Sequence, residues 1–198
     1  MCIRDSHPDK TCVIGNGVVI EPFALLKEID ELVEFEVAGR LWISDRCHLI
    51  MPYHTAMEAA EEARLGAKRI GTTSRGIGPC YEDKIGRRGI RLVDLLNRER
   101  FRDRLRENLA FKNRLLSEIY GEEPLAYDAV CDLYLGIAER LRPYVTDTVF
   151  YLNRCVKEGR SILFEGAQGT HLDVDFGTYP FVTSSNASAG GACTGTGV

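Results

Sequence analysis

The 198-residue sequence has no apolar run approaching the roughly 20 residues that cross a bilayer, and its start lacks a basic stretch followed by an apolar segment and a cleavage site. A soluble, cytoplasmic protein is the expectation. Cysteine never occurs as C-x-x-C: the seven cysteines, at 2, 12, 47, 80, 131, 155 and 193, are odd in number and scattered. That argues against a disulfide framework or a zinc site and for reduced, mostly buried thiols. The four histidines, at 7, 48, 54 and 171, show no ligand spacing with Cys, Asp or Glu, so no metal site is assigned to them. No G-x-x-x-x-G-K-[ST] loop occurs, and the glycines of 190–198 do not follow a strand and open a helix as a dinucleotide fingerprint requires. A nucleoside-triphosphate site is therefore incomplete at best. A basic excess is lacking too: the formal net charge of -4 gives no general attraction to nucleic acid or to an anionic membrane.

What is present is enough apolar residue, 44%, to build an ordinary core in one large or two small domains. The most unusual stretch is 71–91. It holds glycines at 71, 76, 78, 86 and 89 and sets Arg75, Lys84, Arg87, Arg88 and Arg91 against Glu82 and Asp83. So many glycines and charges predict neither ordinary helix nor strand. Glycines can adopt positive φ and bring N–H groups close to an anion, while threonine hydroxyls and guanidinium forks supply further donors, so the segment suits a phosphate. A solvated loop whose charges bind nothing is the competing reading. If it binds, a small phosphorylated molecule is the expected partner.

Around this segment the pattern is mixed. Residues 11–14 and 18–20 flank Gly15-Asn16-Gly17 and read as strand, turn, strand. Helical spacing starts at Pro22 and is ended by Gly39; residues 41–43 read as a buried strand; a second helix runs from Pro52 to Leu65 and stops at Gly66. Further helices are expected over about 98–120, 127–141 and 146–157, the last with Thr146 or Asp147 as N-cap and Gly159 as stop, and the charged faces of the latter two are expected to be solvated. Residues 161–164 read as a buried strand that delivers 165–170 at its carboxyl end, where open α/β sheets bind ligands. From Gly177 onward no secondary structure is expected, and the chain reads as an internal fragment. Residues 1–6 read as a non-native leader. Asp173 and Asp175 are assigned structural or positioning roles. Three polar clusters follow apolar elements: Thr72-Thr73, Gln168, and Thr183-Ser-Ser-Asn186. Together they suit a neutral heterocycle bearing a phosphate, although each alone is also what a capped turn looks like.

Several longer strings share one likeness. Ile14-Gly-Asn-Gly-Val18, Ala24-Leu-Leu-Lys-Glu-Ile29 after Pro22, Ile43-Ser-Asp-Arg46, Gly71-Thr-Thr with Arg75-Gly-Ile-Gly-Pro79, Tyr81-Glu-Asp-Lys84, Phe164-Glu-Gly-Ala-Gln-Gly-Thr170 and Tyr179-Pro-Phe-Val-Thr-Ser-Ser-Asn186 resemble the adenylosuccinate synthetase family over residues 7–198. The resemblance implies an α/β fold: part of a P-loop-NTPase-like sheet with a large helical insertion, incomplete at both ends, with 7–198 as the central part of a single domain. It implies a GTP- and magnesium-dependent ligase that joins L-aspartate to IMP, giving adenylosuccinate, GDP and phosphate in AMP biosynthesis, and that works as a homodimer. Thr73 and Thr183 then stand where the family binds IMP, largely through its 5′-phosphate. Gln168 stands where a glutamine addresses the hypoxanthine, and Arg87 matches the arginine each subunit lends to its partner's IMP. Lys84, Arg75, Arg91 and Leu172 fall in the same motifs as weaker candidates. The family's N-terminal phosphate loop, its catalytic histidine motif and its aspartate- and guanine-binding segments have no counterpart in these 198 residues. Accordingly no residue is given a catalytic or metal-binding role, Mg2+ is expected with ligands outside this chain, and the isolated chain is expected to be inactive. Readings from other classes are a non-catalytic nucleotide- or phosphate-binding module and a dimerisation piece.

Overall fold

Short runs of β-branched and aromatic residues form the strands of this protein, whose computed structural model describes residues 7 and 9–198. Strands β1 (Cys12–Ile14), β3 (Leu41–Ser44) and β5 (Val145–Thr146) make a three-stranded sheet in that order, with both pairings parallel. Strands β2 (Val19–Ile20) and β4 (His48–Leu49) make a separate parallel pair. Gly15-Asn16-Gly17 is therefore a turn but not a hairpin. Each flanking strand finds a parallel partner later in the chain, which requires a crossover rather than a tight turn. The crossover is α1 (Pro22–Glu31), started by Pro22 at its first position and by Glu21, whose carboxylate accepts from the N–H groups of Phe23 and Ala24. It ends before Gly39, in a 3-10 turn over Val33–Phe35.

Between β4 and β5 lies a helical span. Helix α2 (Pro52–Leu65) stops at Gly66, as its sequence predicts. Helix α3 (Ile77–Ile85) corrects the expectation for 71–91, since nine of these residues are ordinary helix. Glycine density misleads there because only Gly71 and Gly76 of the five take positive φ, at 81° and 73°. Gly78 sits in the first turn of α3, and Gly89 serves space instead, because a Cβ there would collide with the His48 ring. Then follow α4 (Leu92–Leu95), α5 (Arg98–Arg114) with Asn97 as N-cap and a π-helical continuation over Leu115–Tyr120, and α6 (Tyr127–Leu141). After β5, α7 (Thr148–Lys157) is capped by Asp147, which accepts from Phe150 N at 3.0 Å.

The core joins α1, the strands, α2, α5 and α6 through Leu26, Ile43, Leu49, Tyr53, Phe101 and Tyr134. Each such side chain contributes roughly 1.5–3 kcal/mol by leaving water. Tyr134 meets Phe23 edge to face at 5.1 Å and donates its hydroxyl to Ile50 O at 3.0 Å, so its buried polar end is satisfied. Of the six cysteines among the described residues, four are buried: Cys47, Cys80, Cys131 and Cys155.

Two expectations for the C-terminal third are overturned. Residues 161–164 are not a strand: Leu163 is 76% exposed and Phe164 44%, and among the described residues no strand pairs with them. A mostly apolar run such as Ser161-Ile-Leu-Phe164 has no ladder without a neighbour to accept its N–H groups. Conversely, the Gly- and Thr-rich end forms α8 (Gly190–Thr196), where the hydroxyls of Thr194 and Thr196 donate back to carbonyls one turn earlier and Gly197 closes the helix at φ 77°. Gly195 lies against the β1–β2 turn, its carbonyl accepting from Gly17 N at 2.9 Å. The assignment of residues 1–6 as a leader lies outside the described residues.

Candidate functional site

The loop between α2 and α3 is held from below. Glu62 accepts from Ile70 N at 3.1 Å and Gly71 N at 3.0 Å; one turn earlier on α2, buried Glu58 accepts from Gly76 N at 2.8 Å. Ser74 N points to Thr72 Oγ1 at 3.4 Å. The backbone cradle inferred for a phosphate is thus partly filled by the protein's own carboxylates. Thr73 and Arg75 are exposed on the same loop and can offer donors. An open cleft of about 400 Å3, lined by Glu62, Arg69, Gly71, Thr72 and Ser74 among others, borders it.

Beyond α3 the chain turns through 86–89, with Arg87 exposed and left-handed at φ 62°. Asp83 fixes this turn. Its carbonyl accepts from Arg88 N and Gly89 N at 2.9 and 3.0 Å, and its carboxylate, wholly buried, takes Lys112 Nζ at 2.7 Å and His54 Nε2 at 3.0 Å, with Arg88 Nε at 3.6 Å. His54 Nδ1 accepts from Met51 N at 2.9 Å, so the ring's hydrogen sits on Nε2 and points at Asp83. Burial pushes the His54 imidazole below its ordinary value, against the pull of Asp83. For Asp83 burial acts to raise the pKa, but the hydrogen bonds from His54 and Lys112 outweigh it and hold the carboxyl below its ordinary value. Asn108 adds a donor to Arg88 O at 2.8 Å.

Lys84 is spent elsewhere: its half-buried ammonium donates to Asn16 O at 3.0 Å, beside the Tyr81 hydroxyl, which donates to Gly17 O at 2.7 Å. Burial lowers the Lys84 pKa. Gln168 and Leu172 are exposed on the loop that follows 161–164, and Arg91 is exposed at the start of α4. Thr183 is half-buried, its N–H donating to Leu172 O at 2.8 Å. The 171–188 loop is organised by buried Asp173, whose carboxylate accepts from the N–H groups of Ser188, Asp175 and Phe176; these bonds draw its pKa down to about 2. Asp173 is thus the structural residue its sequence position suggested. The loop bearing Thr183 meets the first turn of α3, where a Cβ on Gly78 would lie 3.4 Å from Ser184 Oγ, and Gly166 of the Gln168 loop comes close to Ala187 O. Thr73 and Thr183 therefore belong to loops that meet at the start of α3, and the Gln168 loop touches the Thr183 loop at 187. Arg87 does not join them: it lies beyond the other end of a nine-residue helix, about 13 Å away along its axis.

His54, Asp83 and Lys112 were not picked out from the sequence. The available signal was the spacing of His54, Glu58 and Glu62 at four-residue steps, which puts one polar stripe on α2. Among the described residues no three His, Cys, Asp or Glu side chains could hold a metal ion, and the buried carboxylates of Asp83 and Asp173 are engaged by N–H donors. The described residues do not fit a Mg2+ site. Among the described residues no helix is long and apolar enough to cross a membrane.

Parallel strands joined by crossovers, with a helical span set between β4 and β5, define an α/β protein whose polar loops converge at the start of α3. The sequence profile of adenylosuccinate synthetase matches residues 5–198. The chain is 56% identical over 193 residues to the adenylosuccinate synthetase of Brachyspira hyodysenteriae and 57% identical over 198 residues to that of Pelobacter propionicus, covering 97% of itself and 45% of the relative in each case. The fold matches that of a fully ligated adenylosuccinate synthetase from Plasmodium falciparum with a TM-score of 0.85 and 34% identity, covering 94% of this chain and 43% of that one. The chain belongs to the adenylosuccinate synthetase family. It spans about 45% of the length of these curated relatives.

Proposed function

We propose that the chain is the central part of a cytoplasmic, GTP-dependent ligase that joins L-aspartate to IMP, forming adenylosuccinate, GDP and phosphate. The observation that carries this reading is the identity of more than half its residues, over 97% of its length, with proteins of that name. In this reading Thr73 and Thr183 offer hydroxyl donors to the 5′-phosphate of IMP, and Gln168 orients the hypoxanthine. Glutamine is neutral and has both a donor and an acceptor, as a purine edge needs, and it cannot act as a base. A purine oxygen is a poor leaving group, so moving the GTP γ-phosphoryl onto it lets the aspartate amine displace it. Catalysis is then mainly positioning and charge stabilisation. Mg2+ is expected of the longer protein, and none of the described residues is assigned to it.

The functional unit in this proposal is a homodimer in which Arg87 binds the partner's IMP. Its separation from the loops of Thr73 and Thr183 supports that assignment, since a guanidinium fork beyond the far end of α3 is poorly placed for the same phosphate within one subunit. The test mixes two inactive variants of the longer enzyme, Arg87→Leu and Thr73→Ala. Random exchange makes half the dimers mixed, each with one intact site, so activity should return to about a quarter of that of the parent. No recovery despite demonstrated exchange places Arg87 in its own subunit's site.

A further inference from the structure

We infer that one face of α2, carrying His54, Glu58 and Glu62, is the positioning device for the IMP-binding segment, and that Glu62 and Glu58 set the geometry of Thr73 by occupying the loop's own amides. The functional half of this inference rests on the ligase reading. The three residues lie four apart, so they form one stripe on the helix. They meet the segment in order, running opposite to it: Glu62 takes the N–H groups of Ile70 and Gly71, Glu58 takes that of Gly76, and His54 donates to Asp83. The stretch bearing Thr72 and Thr73 is thereby suspended between two anchored points, Gly71 and Gly76.

Both anchors are glycines at positive φ, and at Gly76 a Cβ would lie 2.9 Å from Thr55 N, so the backbone presses directly on α2. An uncommitted carboxylate beside an anion site would repel the ligand. Bidentate use of Glu62 on two N–H groups and enclosure of Glu58 at 6% exposure direct these charges into the loop. The amides at 70, 71 and 76 are consequently closed to phosphate, which leaves the suspended stretch between them, with the Thr73 hydroxyl and the neighbouring Arg75, to meet it. Glu62, Glu58 and His54 act through the loop and are positioning residues.

The test uses Glu62→Gln in the intact longer protein. The substitution puts an NH2 donor where one of the two acceptor oxygens stood, so the two loop N–H groups must share the remaining oxygen or one must go without, while the side chain stays half-buried at the surface and folding is expected to be preserved. Amide hydrogen exchange at Ile70 and Gly71 is expected to quicken about tenfold or more, with the thermal midpoint and exchange in α5 unchanged. The KM for IMP should rise about tenfold while kcat stays within about twofold, and Glu62→Asp, which keeps both acceptor oxygens, should restore part of the KM. Unchanged exchange at 70 and 71 overturns the clamp. Quickened exchange with an unchanged KM overturns its role in positioning Thr73. A parent enzyme with no IMP-dependent turnover sinks the ligase reading instead, and the exchange rates still decide whether the clamp exists.

Discussion

Lys112 on α5 reaches Asp83 with both groups almost entirely out of water, and Lys112→Met separates the contribution of that charge from its bulk. Methionine keeps the length of the side chain but leaves the Asp83 carboxylate buried with His54 Nε2–H and the more distant Arg88 guanidinium. Removing one partner of a buried pair costs about 3–5 kcal/mol. The carboxylate can escape by protonating, and for a carboxyl of ordinary pKa that costs about 4 kcal/mol at pH 7, which sets a ceiling. With two donors remaining, the expected loss is about 2–4 kcal/mol. Urea unfolding followed by far-UV circular dichroism at pH 7 measures it, as a lower midpoint with an unchanged slope. Asp83→Asn combined with Lys112→Met removes the stranded charge and should recover at least half the loss. A single variant losing less than about 1 kcal/mol, or a double variant no better than the single, would refute the claim that this pair holds the turn of Arg87.

Gly76→Ala forces a side chain onto a left-handed residue against the α2 backbone, and should cost about 2–4 kcal/mol in the same urea assay; a cost below about 1 kcal/mol means the loop can lift off α2 freely. Stability should also fall on acidification. Burial, helped by the charges of Lys84, Arg91 and Arg104 and by His54, pushes His48 from 6.5 down to about 4, so between these values the unfolded chain binds a proton that the folded one refuses. The stability from this group is complete above about pH 6.5 and declines by roughly 3 kcal/mol as pH falls to about 4. His54, also held neutral by burial, works in the same direction. His48→Gln should flatten the decline between pH 7 and 5 in urea midpoints, and an unaltered slope would show that His48 does not titrate as argued.

Local punctuation was legible. Pro52 and Gly66 bracket α2, Asp147 caps α7, and the limits of α6 coincide with its periodicity, because each of these signals acts within one turn of its own residue. Pairing was not legible: 11–14 and 18–20 were recognisable as strands, yet their partners are chosen by crossovers that no local pattern encodes. Residues 161–164 failed for the same reason, having strand composition without a neighbour, whereas α3 and α8 were hidden by glycines that read as loop. For the candidate site, motif strings singled out Thr73, Arg87, Gln168 and Thr183 as candidates, but not what holds them. The His54–Asp83–Lys112 contacts join α2, α3 and α5, and in a sequence each of those residues looks like one more polar group on a helix face.

The order β1-β3-β5 has a consequence for the path by which the chain folds. Strand β3 meets β1 across the crossover that carries β2 and α1, about 26 residues, but Ile43 meets Val145 only after about 100 intervening residues, a closure that costs about 4 kcal/mol in chain entropy before any contact repays it. The two halves of the sheet therefore assemble on different timescales. Strands β1 and β3 can pair around α1 early, while β5 docks only after the helical span has collapsed and drawn its ends together. During synthesis that delay is built in, since β3 leaves the ribosome long before β5 and waits with one edge open.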